Sequence, residues 1–333
     1  MDWIFPAYNY SEKKQVNFRI PNIFTGIYKN AFEDFINYYS PDVIAPYANR
    51  YPTLEPRSSR KCRFCKKTNP EVSFKKDAHI IPQFMGNKYL ISDFECDSCN
   101  LKFSTYETSF ADSIGLLRTT DGLRGQKGIP KFKKNGLNVY SKKDESGKDV
   151  VYLESSNPTS TYFNKETKTI TIQTVKNPYV PIHIMKVLYK IGYSLLPTNE
   201  LDNYIHISKI INTSELDNKL QEYCKVLVFT FPYFQNKPFA ITFKKRPEFH
   251  DTNIPSKIVL LYFGRFMYEF VLLNSSDTFM IKKGGVGKII YSPPYWDLKN
   301  GQPTQKILDF SGTEKIKEPE SLLFTFDSDF KIE

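Results

Sequence analysis

Two cysteine pairs, Cys62-x2-Cys65 and Cys96-x2-Cys99, stand thirty residues apart in a chain of 333 residues. Each pair can grip one metal ion from a tight turn. Two pairs complete a tetrahedral thiolate site, the geometry and ligand softness that zinc favours. With a thiolate at every position such a site is closed to substrate. Its role is architectural, stapling a segment too small to hold its own core. The fifth cysteine, Cys224 in "EYCKVL", reads as a buried apolar residue.

Thiolates of this kind need a reducing compartment. The opening "MDWIFPAYNY" lacks the basic and apolar regions of a signal peptide, so a cytoplasmic protein is expected. The most apolar run, Ile258 to Leu273, is broken by Gly264, Arg265 and Glu269. It is too short and too charged to span a bilayer and predicts buried strands, with no membrane partner. Hydrophobic residues make up 40% of the chain, enough for a sizeable core.

The formal charge is +10, and much of it gathers around the cysteines. Between Arg57 and Lys76, the residues Arg57, Arg60, Lys61, Arg63, Lys66, Lys67, Lys75 and Lys76 face a single acid, Glu71. A second stretch carries Arg118, Arg124, Lys127, Lys131 and Lys133. Two basic runs flanking one compact module point to a polyanionic partner.

Composition shifts divide the chain. Residues 1–55 read as an N-terminal lead-in with one amphipathic helix, about Ile23 to Tyr39, closed by Ser-Pro. The Pro-rich "APYANRYPTLEP" marks a boundary, and residues 56–125 form the cysteine-rich module. Residues 126–333 read as a larger α+β region with a mixed, mainly antiparallel sheet. There "TYFNKETKTITIQTV" predicts a hairpin, Pro181 opens a helix that Pro197 closes, and Ser214 caps another. Strand-like runs such as "KVLVFTF", "FAITF" and "KIVLLYF" follow.

Within the module, Phe103, Tyr106, Phe110, Ile114 and Leu117 recur at helical spacing after the second cysteine pair. Asn100 and Glu107 fall about 20° apart on that helix. "VSFKKDAHIIP" reads as an extended segment ending at Pro82, so His79 and Asn100 can face each other. The pattern C-x2-C, His-Ile-Ile-Pro, Gly-Asn, then C-x2-C-Asn resembles the HNH endonuclease family in its zinc-stapled branch. The resemblance covers about residues 60–118 and implies a ββα-metal module.

That resemblance implies hydrolysis of phosphodiester bonds, with His79 as general base and Asn100 as a ligand of a catalytic divalent cation, Mg²⁺ or Mn²⁺. Both residue types suit those roles. Many members carry a metal-binding acid directly before the histidine, where this chain has Ala78. Asp77 lies two residues before His79 and shares its face in an extended segment, so it is the expected substitute ligand, with Glu107 as second candidate. Asn87 is the candidate for the family's loop-bracing asparagine. Double-stranded DNA is the expected substrate, since basic flanks can track phosphates and no stacking-aromatic RNA motif is present. The C-terminal region is expected to select the target, bind a regulator or join copies of the protein. By analogy such a protein resembles bacterial restriction or phage-defence effectors. The alternative is a zinc-dependent nucleic-acid-binding protein without catalysis.

Two further motifs mislead. "KGGVGK" (Lys283–Lys288) mimics a phosphate-binding loop, but Ile289 follows where Ser or Thr is needed. "SPPYW" (Ser292–Trp296) mimics an amino-methyltransferase loop, but too little chain surrounds it for a nucleotide-binding sheet.

Overall fold

The computed structural model describes the chain apart from residues 1, 21–26, 47, 49–50, 148, 158, 214–220, 222, 251–252, 278–290, 294–300 and 326–333. The expected cap at Ser214 and the "KGGVGK" segment lie outside the described residues, as does most of "SPPYW".

The fold is mixed α+β with a large sheet. Strands β1 (Trp3–Asn9) and β2 (Lys14–Ile20) form a hairpin, helix α1 (Ile27–Tyr38) follows, and β3 (Tyr39–Ala45) lies parallel to β1. The short antiparallel pair β4 (Ala78–His79) and β5 (Ile91–Ser92) precedes helices α2 (Asp97–Ile114) and α3 (Leu117–Thr120). Strands β6 (Phe132–Lys134), β7 (Leu137–Lys143) and β8 (Asp149–Ser155) make a small antiparallel sheet. The hairpin of β9 (Thr161–Asn164) and β10 (Thr169–Val175) stands where the alternation places it. Helices α4 (Pro181–Leu195) and α5 (Ile205–Asn212) lead into β11 (Lys225–Lys245) and β12 (Lys257–Val271). Strand β13 (Thr304–Asp309) pairs with the first part of β11, and β14 (Pro319–Thr325) with β10.

The large sheet runs β12-β11-β3-β1-β2, so N-terminal and C-terminal strands share one sheet. Its central strands are buried on both faces, which is why they read as unbroken apolar runs. Leu227, Phe229, Ile241, Phe243 and Leu260 pack with Phe32 and Phe35 of α1 on one face. Their alternate neighbours Val226, Val228, Ala240, Val259 and Leu261 join a core with α4 and the cysteine module on the other.

Helix α4 is the pivot of that second core. Every residue from Pro181 to Leu195 is buried except His183, which is partly so. Gly192 lets it approach the sheet, since a β-carbon there would lie 3.1 Å from Leu272 and 3.3 Å from Val259. Helix α2 packs on its other side, with Ser109 Oγ 3.0 Å from His183 Nδ1 and the ring of Tyr106 4.6 Å from that of His183. Phe84, Phe110 and Phe263 meet edge to face, seating the loop after β4 against α2 and β12.

Because α2 and the loop after β4 complete their core with α4 and β12, residues 1–125 alone are expected to show no cooperative urea transition. The whole chain is expected to show one. A cooperative transition from the fragment would contradict the shared core.

Candidate active site and metal centre

The two cysteine pairs converge. Cys62 and Cys65 sit on a tight turn closed by the Lys66 N–H donating to Cys62 O at 2.9 Å, and Cys96 and Cys99 flank the start of α2. No disulfide forms, and the four sulfurs lie within 4.8 Å of one another, placed to hold a metal ion. Cys62 to Cys99 and Cys65 to Cys96 are each 3.7 Å. A tetrahedron with Zn–S bonds of about 2.3 Å has edges of about 3.8 Å, which these two separations match. This is the only such ligand cluster among the described residues.

One turn of chain away, an open cleft of about 760 Å³ is lined by Asp77, His79, Gln83, Asn100, Glu107 and Arg118, among others. The expected base His79 and the three expected cation ligands Asp77, Asn100 and Glu107 therefore line one cleft. Ala78 between Asp77 and His79 is fully buried and does not line it. The strand alternation thus turns position 78 into the core and presents the acid two residues before the histidine. Asp77 is half-exposed, 3.7 Å from Arg57.

The loop between β4 and β5 is held from inside by Asn87. Its buried carboxamide donates to Ile81 O at 2.6 Å and Leu90 O at 3.0 Å, and accepts from the Leu90 N–H at 2.9 Å. This bracing sets the next residue, Lys88, whose carbonyl lies 3.3 Å from His79 Nε2. A carbonyl can only accept, so Nε2 carries the hydrogen when that bond is made and Nδ1 keeps its lone pair. The Gln83 carboxamide nitrogen sits 3.1 Å from the same Nε2, and since both would then be donors, this tautomer requires the Gln83 carboxamide turned so that its oxygen faces the ring. Burial lowers the His79 pKa below the usual 6.5, and the Lys190 charge adds to this against the Lys88 bond, Glu107 and Asp77. The burial therefore favours the neutral imidazole.

Lys190 of α4 was not legible as a site residue, yet it underlies the cleft. Its side chain is fully buried, and Nζ donates to the His79 carbonyl at 2.8 Å and to Glu107 Oε1 at 3.0 Å. Glu95 Oε2, also buried, lies 3.4 Å away. That is ion-pair distance without hydrogen-bond geometry, and both Glu95 oxygens lack a hydrogen-bond partner. Burial pushes the Glu95 carboxyl up to about 7 despite the lysine. Burial alone would lower Lys190, but Glu107 and Glu95 outweigh it and hold the ammonium charged. The one signal available was a pair of lysines, Lys186 and Lys190, inside a mainly apolar helix.

The basic runs divide into two kinds. Arg63 does not face solvent: its Nη1 donates to the carbonyls of Tyr193, Ser194 and Leu196 at 3.0, 2.9 and 2.9 Å, capping the C-terminus of α4. Its guanidinium lies 3.8 Å from the centre of the Phe94 ring. Arg60 is buried and donates to Glu55 O. Lys61, Lys67, Lys75, Lys76, Lys127, Lys131 and Lys133 are exposed, and Lys76 lines the cleft. His183 belongs to the α2–α4 contact, and neither it nor His206 or His250 lines the cleft.

Replacing Lys190 with Met leaves Glu95 and Glu107 without their cation. It should destabilise the protein by about 3–5 kcal/mol in urea denaturation. Adding Glu95→Gln should recover part of that loss; a Lys190→Met protein as stable as the parent would contradict the network.

Residues 62–111 match the family model described as HNH endonuclease. No curated protein and no solved structure matches the chain. The segment that carries the four cysteines, His79, Asn87, Asn100 and Glu107 is a module of the HNH endonuclease family.

Proposed function

We propose that the chain is a metal-dependent endonuclease that hydrolyses DNA phosphodiester bonds with His79 as general base. The observation that carries this reading is a carbonyl-tethered His79 sharing a cleft with Asn100 and Asp77 inside an HNH-family module. With Nε2 donating to Lys88, Nδ1 is the nitrogen able to take a proton from an attacking water. The cleft's donors are a carboxamide and carboxylates, hard ligands suited to Mg²⁺ or Mn²⁺, which need only one or two protein oxygens beside water and phosphate. Asn100 and Asp77 are the residues that would hold the ion. Glu107 is the weaker candidate, because Lys190 engages one of its oxygens. When bound, the cation supplies charge neutralisation at the phosphate and the departing oxygen.

In this reading β4, β5 and α2 are the ββα-metal unit of a module spanning residues 56–125, and zinc on the four cysteines sets where α2 begins. Residues 1–55 form the lead-in. Residues 126–333 recognise the target, bind a regulatory partner or join a second copy of the chain. Double-stranded DNA is the substrate, tracked by the exposed lysines, and a cytoplasmic role in bacterial restriction or phage defence fits that activity. No helix among the described residues is long and apolar enough to cross a membrane.

Supercoiled plasmid with Mg²⁺ or Mn²⁺ is expected to be nicked by the chain and left intact by His79→Ala, with a rate loss of at least about 10²-fold. A protein that only binds nucleic acid would retard DNA, never cut it, and lose nothing on that substitution. Asp77→Ala is expected to raise the Mg²⁺ concentration needed for half-maximal nicking; an unchanged requirement removes Asp77 from the site. Because the neutral imidazole is the active form and its pKa is lowered from 6.5, the acid limb of the single-turnover pH–rate profile should lie below pH 6.5. A limb above that value contradicts His79 as the base.

A further inference from the structure

Arg118 lies on α3, beyond the family-matched segment, yet its side chain lines the same cleft as His79, Asn100 and Glu107. Its guanidinium carbon sits 5.6 Å from the centre of the Phe84 ring, and its Nε is buried. That Nε is the only buried side-chain nitrogen without a hydrogen-bond partner among the described residues. Other buried and part-buried cations have close partners. Lys190 has Glu107 and Glu95, Arg265 has Asp121, and Arg63 has three carbonyls.

A guanidinium cannot shed its proton to relieve burial, and a desolvated donor without an acceptor is costly. The neighbouring turn, where Gly125 and Gly128 exchange backbone hydrogen bonds, leaves the group room. A β-carbon at Gly125 would lie 3.2 Å from Arg118 Nη2. The cleft therefore presents a planar, positively charged fork beside an aromatic ring, with no direct ion pair or side-chain hydrogen bond among the described residues; Asp112, which lines the same cleft, acts on it only as a charge at longer range. Phosphodiester oxygens are the acceptors that match a guanidinium fork.

We propose that Arg118 is a substrate-binding residue that takes a backbone phosphate of the nucleic acid in the cleft, supplied from outside the family module. This rests on the nuclease reading, in which that cleft receives DNA. It assigns ground-state phosphate binding to Arg118 and leaves proton transfer to His79.

The test uses the full chain carrying His79→Ala, so that no cutting occurs, and measures its affinity for a duplex oligonucleotide across a NaCl series by fluorescence anisotropy. Adding Arg118→Leu, which keeps the contact with Phe84 and removes the charge, should weaken binding roughly tenfold at low salt. It should also reduce the slope of log Kd against log salt by about one. Arg118→Lys should keep the slope and bind a few-fold more weakly, having lost the fork. Unchanged affinity and slope in a folded Arg118→Leu protein overturns the proposal. Should Arg118→Leu fail to fold, Arg118→Lys binding as tightly as the parent overturns it instead. The nuclease reading fails separately, if the unmodified chain cuts no DNA while the Arg118 effect on binding persists.

Discussion

The site depends on one buried ammonium group. Lys190 Nζ reaches the carbonyl of His79, the carboxylate of Glu107 and the neighbourhood of Glu95 from a helix far along the chain. Removing a lysine from water is expensive, and close carboxylate and carbonyl oxygens are what offset it. Those oxygens belong to the strand that bears the histidine, to the helix that bears Asn100, and to the residue before Cys96. The ammonium therefore sets the strand, the helix and the cysteine cluster relative to one another.

A second tie runs the other way. Arg63, inside the first cysteine turn, closes the open carbonyls at the end of α4. The module holds the end of the helix, and the helix supplies the charge beneath the module. The family match ends at Ala111, but the physical unit that shapes the cleft extends through α3, α4 and the sheet behind them. This explains how a short HNH segment can sit in a longer chain without behaving as an appended bead. Its core is completed by residues that carry no family signature.

What could be read in the sequence was local. Cysteine spacing placed four sulfurs together, period-two alternation located β9 and β10, and helical spacing located α2. Asn87 as the loop brace came from the family resemblance, whereas the shared face of Asp77 and His79 and the nearness of Asn100 to Glu107 on α2 came from strand and helix periodicity; all but Asn87 line one cleft. What escaped was long-range. A lysine in "MKVLYKIGY" looks like any helix lysine until its acids, Glu95 and Glu107, arrive from elsewhere in the fold. Arg60 and Arg63 looked like phosphate contacts because charge in a run says nothing about which members turn inward. Strand β3 was missed because its partner β11 lies about two hundred residues away, and pairing at that separation leaves no local pattern; the local hairpin of β1 and β2 was missed because Pro6 within β1 and the charged residues of β2 blur its alternation.

The proposed nuclease function requires a cation-binding cleft beside the separate four-cysteine metal site. Anomalous diffraction from crystals of the His79→Ala protein soaked in Mn²⁺ tests it most directly. Zinc is expected at Cys62, Cys65, Cys96 and Cys99, with a manganese peak in the cleft bonded to oxygens of Asn100 and Asp77. Metal at the cysteines alone, with no manganese in the cleft at millimolar concentration, would contradict the account.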